Sequence, residues 1–290
     1  GFTLDNMQAF DTSKVKTPSF VNFLFDMVPV NIVDSMAKNQ IMQMIFFTVL
    51  VGVALVSLGE KVAEVTKIFD QCASIIYKML DIVMLYSPIG VLALMANTTA
   101  VFGPKLFGVL AKFVFTDWVG CLLIWFFFSG IVWLYTKVNY LEMCKSMIPI
   151  WVNTIATNSS AGTIPITLNV TTERLKVPMS IASFSIPLGA TINLTGAALY
   201  KTILAFFVAE IYGLQLTIDQ ILMVIIISTI MSIAAPGIPS GGIVTGAIFL
   251  NLLGLPMDLM GPIAGMYRLI DMSHTTVNVS GDVLGTMLVA

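Results

Sequence analysis

Near its end this chain reads DMSHTTVNVSGD from Asp271 to Asp282, a run that holds two carboxylates, an amide, several hydroxyls and the single histidine, His274. Asp271, Thr275, Asn278 and Asp282 recur at steps of four, three and four, so a helix lines all four along one stripe. Apolar residues continue after Asp282 to Ala290, which argues against a water-exposed helix end. Ionisable groups at membrane depth cost at least ~2.5 kcal/mol each, so they face a cavity and mark the path of a solute or ion. The stripe is therefore the first candidate site.

Composition requires a membrane around it. Of 290 residues 57% are hydrophobic and only 10% charged, with a mean hydropathy of +0.94. Soluble chains carry roughly a quarter charged residues, so this one reads as an integral membrane protein embedded in a lipid bilayer. A net charge of -2 supplies no basic field for nucleic acid. Three cysteines, Cys72, Cys121 and Cys144, are odd in number and lie in or beside apolar runs, so no disulfide framework is expected. The chain starts at Gly1 and its first 30 residues lack the order of a signal peptide, so it reads as a fragment or a processed chain.

The apolar runs are of two kinds. Ile41 to Leu58, Ile75 to Met95 and Val119 to Tyr135 are continuous enough to span as ordinary helices. Ser146 to Thr172 is instead apolar at its ends and polar in the middle, with TNSSAGT between Pro149 and Pro165. Gln220 to Pro256 repeats that shape, with Pro236, Gly237, Pro239, Gly241 and Gly242 at its centre. Two half-helices meeting at a tip suit such segments, because irregular backbone is tolerated at depth where it lines a cavity. Lys137 and Lys145 before the first of them, and Arg174 and Lys176 after it, place both flanks on one side of the membrane, as a segment that enters and returns requires. Lys105 and Lys112 fall on the opposite side and oppose that assignment. Between the two hairpins a helix from about Val177 to Ala209 is interrupted by GATINLTGA, where unwinding turns carbonyl oxygens toward a hard cation. Hairpin, broken helix, hairpin, striped helix is an internal repeat of inverted sense, the architecture of secondary transporters.

These residues resemble the dicarboxylate/amino acid:cation symporters, the glutamate and aspartate transporter family. The resemblance rests on MVPVN at Met27, YSPIGV at Tyr86, SSAGTIP at Ser159, IPLGATINLTGAALY at Ile186, PGIPSGG at Pro236 and TTVNVSGD at Thr275, in collinear order. It implies an all-α membrane protein with inverted repeats of a re-entrant helical hairpin plus a transmembrane helix. Residues 1–140 would then be partial scaffold and peripheral helices, and 141–290 the transport core. The family's first three or so helices would be missing. Further implications are a homotrimer in the cell membrane, no covalent catalysis, and no cofactor besides sodium as coupling ion.

Carried onto this sequence, the resemblance makes the tip at Ser160 an inner gate that contacts a substrate carboxylate, and Ile238, Pro239 and Ser240 an outer gate. Asp271 would bind the substrate amino group, with Thr275, Asn278 and the position of His274 as neighbouring contacts. Asp282 with carbonyls of Gly189, Asn193 and Asn278 would hold one sodium ion; carbonyls of Thr191, Ser232, Ile233 and Ala235 would hold a second.

Departures from the family pattern bear on the substrate. Members that carry acidic amino acids have an arginine where His274 stands, because a guanidinium fork pairs with a side-chain carboxylate. A further arginine of the family matches Asn158 or Met272; Arg268 lies three residues before Asp271 and could supply that charge or pair with it. Neutral amino acids and small dicarboxylates are thus both open as substrates. The family's aspartate in the broken helix is Thr195, and the next polar position after ALY is Lys201, which either reaches for an interface or points inward as a tethered cation. The expected function is symport of an amino acid or small dicarboxylate coupled to sodium or protons, with a passive channel on the same core as the alternative. An intramembrane serine hydrolase finds no nucleophile elbow beside His274.

Overall fold

The computed structural model describes residues 25–38, 40–103, 105–233 and 240–290, and every regular element among them is helical. Two compact units emerge, one within Pro18–Asn97 and one containing Thr98–Ala290.

In the first unit a short helix α1 (Ile32–Ala37) is N-capped by Asn31, whose side chain accepts from the amides of Val33 and Asp34. Helices α2 (Ile41–Leu58) and α3 (Ala63–Met84) follow, joined by a 3-10 turn at Gly59–Val62, and α4 covers Ser87–Phe102. Apolar side chains such as Val49, Val53 and Val56 on α2 stand exposed, as expected of a helix that is hydrophobic all round and has lipid for its solvent.

The second unit is built around its last helix. α5 (Lys105–Thr136) leads into α6 (Tyr140–Thr157) and α7 (Ser160–Asn169), which form a tight helical hairpin. α8 (Met179–Ile192) and α9 (Thr195–Ile211) are the two halves of a broken helix. α10 (Ile218–Ile233) and α11 (Gly241–Leu252) flank the second tip, and α12 (Met260–Val289) packs against α5, α6, α7, α8, α9 and α11. Met147, Ile150, Ile186, Val279 and Val283 form the buried apolar cluster between the first hairpin, α8 and α12. Burial of this kind inside a membrane reflects close packing more than escape from water.

Among the described residues, three helical stretches are long and apolar enough to cross a membrane: Met42–Ile76, Leu106–Thr136 and Met179–Ile211. The third is the broken helix, and the second begins well before the Val119 expected from hydropathy, because Lys112 and Asp117 interrupt the apolar run without interrupting the helix. A separate span at Ile75 to Met95 is not formed as one helix: α3 ends at Met84 and α4 starts at Ser87. Pro88 explains the break: it has no N–H to donate to the Met84 carbonyl and its ring crowds that oxygen, whereas the first turn of α4 tolerates it.

Candidate functional site

The polar stripe lies inside the second unit. Asp271, Thr275, Asn278 and Asp282 are all buried on α12, as are Ser273, His274 and Ser280. α5, α6, the broken helix and the residue before α11 each deliver a polar group to α12.

The first hairpin is pinned to α12 by side chains from one of its arms. Trp151 donates Nε1–H to the Ser280 hydroxyl at 3.0 Å, and the Thr154 and Thr276 hydroxyls are 2.9 Å apart. At its tip Asn158 takes the left-handed conformation that asparagine tolerates and so ends α6. Ser159 then caps α7 by accepting from the Gly162 amide at 3.0 Å. Asn158 reaches across to donate to the Arg268 carbonyl oxygen at 3.0 Å, and Ser160 is buried beside it in the sequence. The SSAGT run thus folds as a cap, which is why small hydroxyl residues stand at a tip.

Asp271 faces the second hairpin. Its Oδ2 accepts the backbone N–H of Ser240 at 3.0 Å, and Ser240 itself has left-handed backbone, φ 62°. Ile238, Pro239 and Ala235, which the sequence singles out at that tip, lie outside the described residues. Ile233 is exposed at the end of α10, whereas Ser232 is buried.

Asp282 faces the broken helix. Asn193, where α8 stops, donates Nδ2–H to Asp282 Oδ1 at 2.8 Å and to the Asn278 carbonyl at 3.0 Å; its own amide donates to the Gly189 carbonyl at 2.7 Å. Two of the carbonyls assigned by resemblance to a cation therefore already accept from Asn193. The Asn278 amide oxygen accepts the Gly196 N–H at 2.7 Å, which satisfies the start of α9. Gly196 and Gly189 stand where a side chain would collide with α12. A Cβ on Gly196 would come within 2.6 Å of the His274 Cα, and one on Gly189 within 2.7 Å of Asp282 Oδ1. Asp282 Oδ2 is buried with no partner. A carboxylate oxygen left bare in an apolar interior is the donor set that suits a hard monovalent cation, so these residues fit sodium as cargo. Thr191 is exposed, its hydroxyl turned back to the Leu188 carbonyl at 2.7 Å.

One residue of the cluster was not legible in the sequence. Asp117, in the middle of α5, is wholly buried and meets α12. Its Oδ1 lies 2.8 Å from His274 Nε2, its Oδ2 accepts from the Ser273 hydroxyl at 3.0 Å, and Cys121 Sγ is 4.0 Å from that oxygen. A single acid in an otherwise apolar run was the available signal. Nothing local tied it to a histidine 157 positions away.

Lys201 and Arg268 go opposite ways. Lys201 is fully buried on α9, donating to the Ser232 hydroxyl at 3.1 Å and the Ala197 carbonyl at 3.3 Å, so it points inward. Arg268 is exposed, and its backbone carbonyl accepts from Asn158 of the first hairpin.

The profile of the sodium:dicarboxylate symporter family matches residues 2–290. The proton/glutamate-aspartate symporter of Bacillus subtilis is 32% identical over 275 residues, covering 95% of this chain and 66% of that protein. An excitatory amino acid transporter of Caenorhabditis elegans is 31% identical over 259 residues, 86% of this chain and 50% of its own. The proton/sodium-glutamate symport protein of Bacillus caldotenax is 29% identical over 279 residues, 96% of this chain and 66% of its own. The chain thus spans between half and two thirds of the length of these relatives. With a profile that runs essentially from end to end, and with buried acids meeting a helix break and a hairpin tip, this helical membrane chain belongs to the sodium:dicarboxylate symporter family.

Proposed function

We propose that the chain is the greater part of a secondary active transporter that couples entry of a small amino acid or dicarboxylate to a cation, sodium foremost. The relatives' names, which pair glutamate or aspartate with protons or sodium, support the class of reaction. The observation that carries the mechanism is the 3.0 Å hydrogen bond from the Ser240 amide to Asp271. It makes one buried carboxylate both the anchor of the second hairpin's tip and the group that a solute ammonium would seek.

In this reading a solute lies between the two tips, its carboxylate at Ser160 and its ammonium at Asp271, with Thr275 and Asn278 beside it. Residues Ile238, Pro239 and Ser240 close over it. One sodium ion takes the bare oxygen of Asp282 with oxygens of Gly189, Asn193 and Asn278; a second uses Thr191, Ser232, Ile233 and Ala235. Closure is linked to loading because the tip and the solute share Asp271. A core of residues 141–290, joined by α5 through Asp117, then moves as a unit within a homotrimeric scaffold in the cell membrane. No bond is made or broken, so no cofactor is needed.

The test is uptake by the full-length protein in liposomes. A sodium gradient should drive solute accumulation above equilibrium. Solute-independent current without accumulation would make the molecule a channel.

A further inference from the structure

Asp117 is a buried acid that the proposed solute path does not use, and the groups around it are metal ligands by type. Asp117 and Cys121 stand four residues apart on α5, so the helix aims both at one face, as helices do for paired ligands. That face meets His274 on α12. One ligand atom from each of the three lies within 4.8 Å of the others, and all three residues are buried. Asp117 Oδ1 is 2.8 Å from His274 Nε2, and Oδ2 is 4.0 Å from Cys121 Sγ. Ligands of a tetrahedral zinc ion, with bonds of about 2.0–2.3 Å, stand roughly 3.5 Å apart. Shifts well under an ångström would bring these three onto one ion.

Charge and access lead to the same answer. Among the described residues Asp117 has no lysine or arginine partner; it accepts from the Ser273 hydroxyl and faces the imidazole and the thiol. With both of those neutral, the group holds one uncompensated negative charge in an apolar interior. A zinc ion brings two positive charges, the thiol releases its proton to solvent, and the ring hydrogen moves from Nε2 to Nδ1, which is buried and has no partner. The loaded group is then neutral, the state that such an interior tolerates best. Sulfur is a poor ligand for sodium and a good one for a borderline-soft divalent metal. A cavity of about 380 Å³ between α5, α6 and α12 reaches the group from its sulfur side, with Cys121 and Ser273 in its wall beside Trp118, Trp125 and Trp151. The fourth position falls to the Ser273 hydroxyl or to water.

We propose that Asp117, Cys121 and His274 form a zinc site, separate from the proposed sodium sites, and that the ion inhibits solute capture. The inhibition, unlike the site, rests on the symport reading. Loading makes the surroundings one positive charge richer a helical turn from Asp271, which weakens the pull on a solute ammonium.

Equilibrium dialysis of the full-length protein, first stripped with EDTA, against zinc alone tests the site. One tightly held zinc ion per chain is expected. Cys121→Ala and Asp117→Asn should each weaken it by about 100-fold or more, since losing partners beyond the ligands already costs about 10- to 100-fold. Cys72→Ser and Cys144→Ser should leave it unchanged. Cobalt in place of zinc should show sulfur-to-metal charge-transfer absorption in the parent and none in Cys121→Ala. In liposomes, zinc should raise the half-saturating solute concentration several-fold, and Cys121→Ala should transport like the parent without that sensitivity. No bound zinc in the parent, or undiminished zinc affinity in both Cys121→Ala and Asp117→Asn, overturns the site. Bound zinc that leaves uptake unchanged overturns the inhibition. Absence of gradient-driven uptake overturns the symport reading and the inhibition with it, while dialysis and the cobalt spectrum still decide the site.

Discussion

The two carboxylates of α12 are buried on the same face of the same helix, yet they meet different kinds of partner. Asp271 is held by the backbone amide of Ser240, the residue that leads into α11 of the second hairpin. Asp282 is held by the side chain of Asn193, fixed in turn at the break between α8 and α9 and against the α12 backbone. One acid meets the hairpin proposed as a gate; the other is built into a crossing of two helices. Helix position alone does not divide their labour. What divides it is whether the partner is a gate or a frame, and the variants below are chosen to separate these.

Asp271→Asn should have the largest effect. The amide still accepts from Ser240 but no longer attracts an ammonium, so amino acid binding should fall by at least ~100-fold, while sodium still alters the accessibility of a label on the tip. Loss of the sodium response with solute affinity intact at saturating sodium would show that the acid serves the ion. Asp282→Asn comes next. It should weaken the apparent sodium affinity by roughly 10-fold or more, with solute affinity recovering as sodium is raised, because a charge-assisted contact is replaced by a neutral one. Titrating solute binding against sodium distinguishes the two variants in one experiment.

The stripe itself was readable, since spacings of four, three and four fix a helical face whatever lies opposite. The turn between α6 and α7 and the broken helix were readable for the same kind of reason: polar, Gly- and Pro-rich centres inside apolar runs have few alternatives at membrane depth. What faced the stripe was not. Asp117, Ser232 and Lys201 meet their partners across helix interfaces, and hydropathy assigns a lone charged residue to a helix without saying which side it faces. Lys201 shows the ambiguity well, because its long stem permits either an interface or the interior, and packing against Ser232 on α10 decides for the interior. The ligand sets taken from family resemblance have the same gap. They name the carbonyls of Gly189 and Asn278 as ligands beside Asp282, but not that both accept from Asn193.

A smaller effect sharpens the contrast from the framed side. Gly189→Ala would push a methyl against the Asp282 carboxylate, where 2.7 Å is too close for carbon and oxygen. Either α8 shifts or the acid turns, and in both cases the geometry around the bare oxygen changes. Sodium affinity should fall by a few-fold while the ranking of solutes stays as in the parent. A change in ranking with sodium dependence untouched would mean that the α8 end contacts the solute.

The smallest change expected in any single affinity concerns Lys201, although its consequence for coupling is large. Its ammonium is fully buried, 3.1 Å from the Ser232 hydroxyl, and the hydroxyl and carbonyl that hold it are both uncharged. The second sodium ion is proposed to take carbonyl oxygens of α8 and of the end of α10, whereas the ammonium is held by the Ser232 hydroxyl and by the Ala197 carbonyl on α9, two residues from Thr195. Two like charges ~4 Å apart repel by about 4 kcal/mol at an effective dielectric of 20, enough to keep a further mobile cation from binding nearby. Thr195 acts in the same direction. Its hydroxyl bonds to the Asn193 side-chain oxygen at 2.7 Å, at a position where an acid would have added a ligand. With a fixed ammonium in place and a carboxylate missing, the parent should couple two cations to each solute, and Lys201→Gln with Thr195→Asp should add one more. Lys201→Gln alone should shift sodium affinity only a few-fold, because it removes a repulsion without supplying a ligand. Reversal potentials measured on the full-length protein count the charges directly. Three sodium ions per solute in the parent would mean that the ammonium does not stand in for a cation, and the distinction between a gated acid and a framed one would have to explain coupling without it.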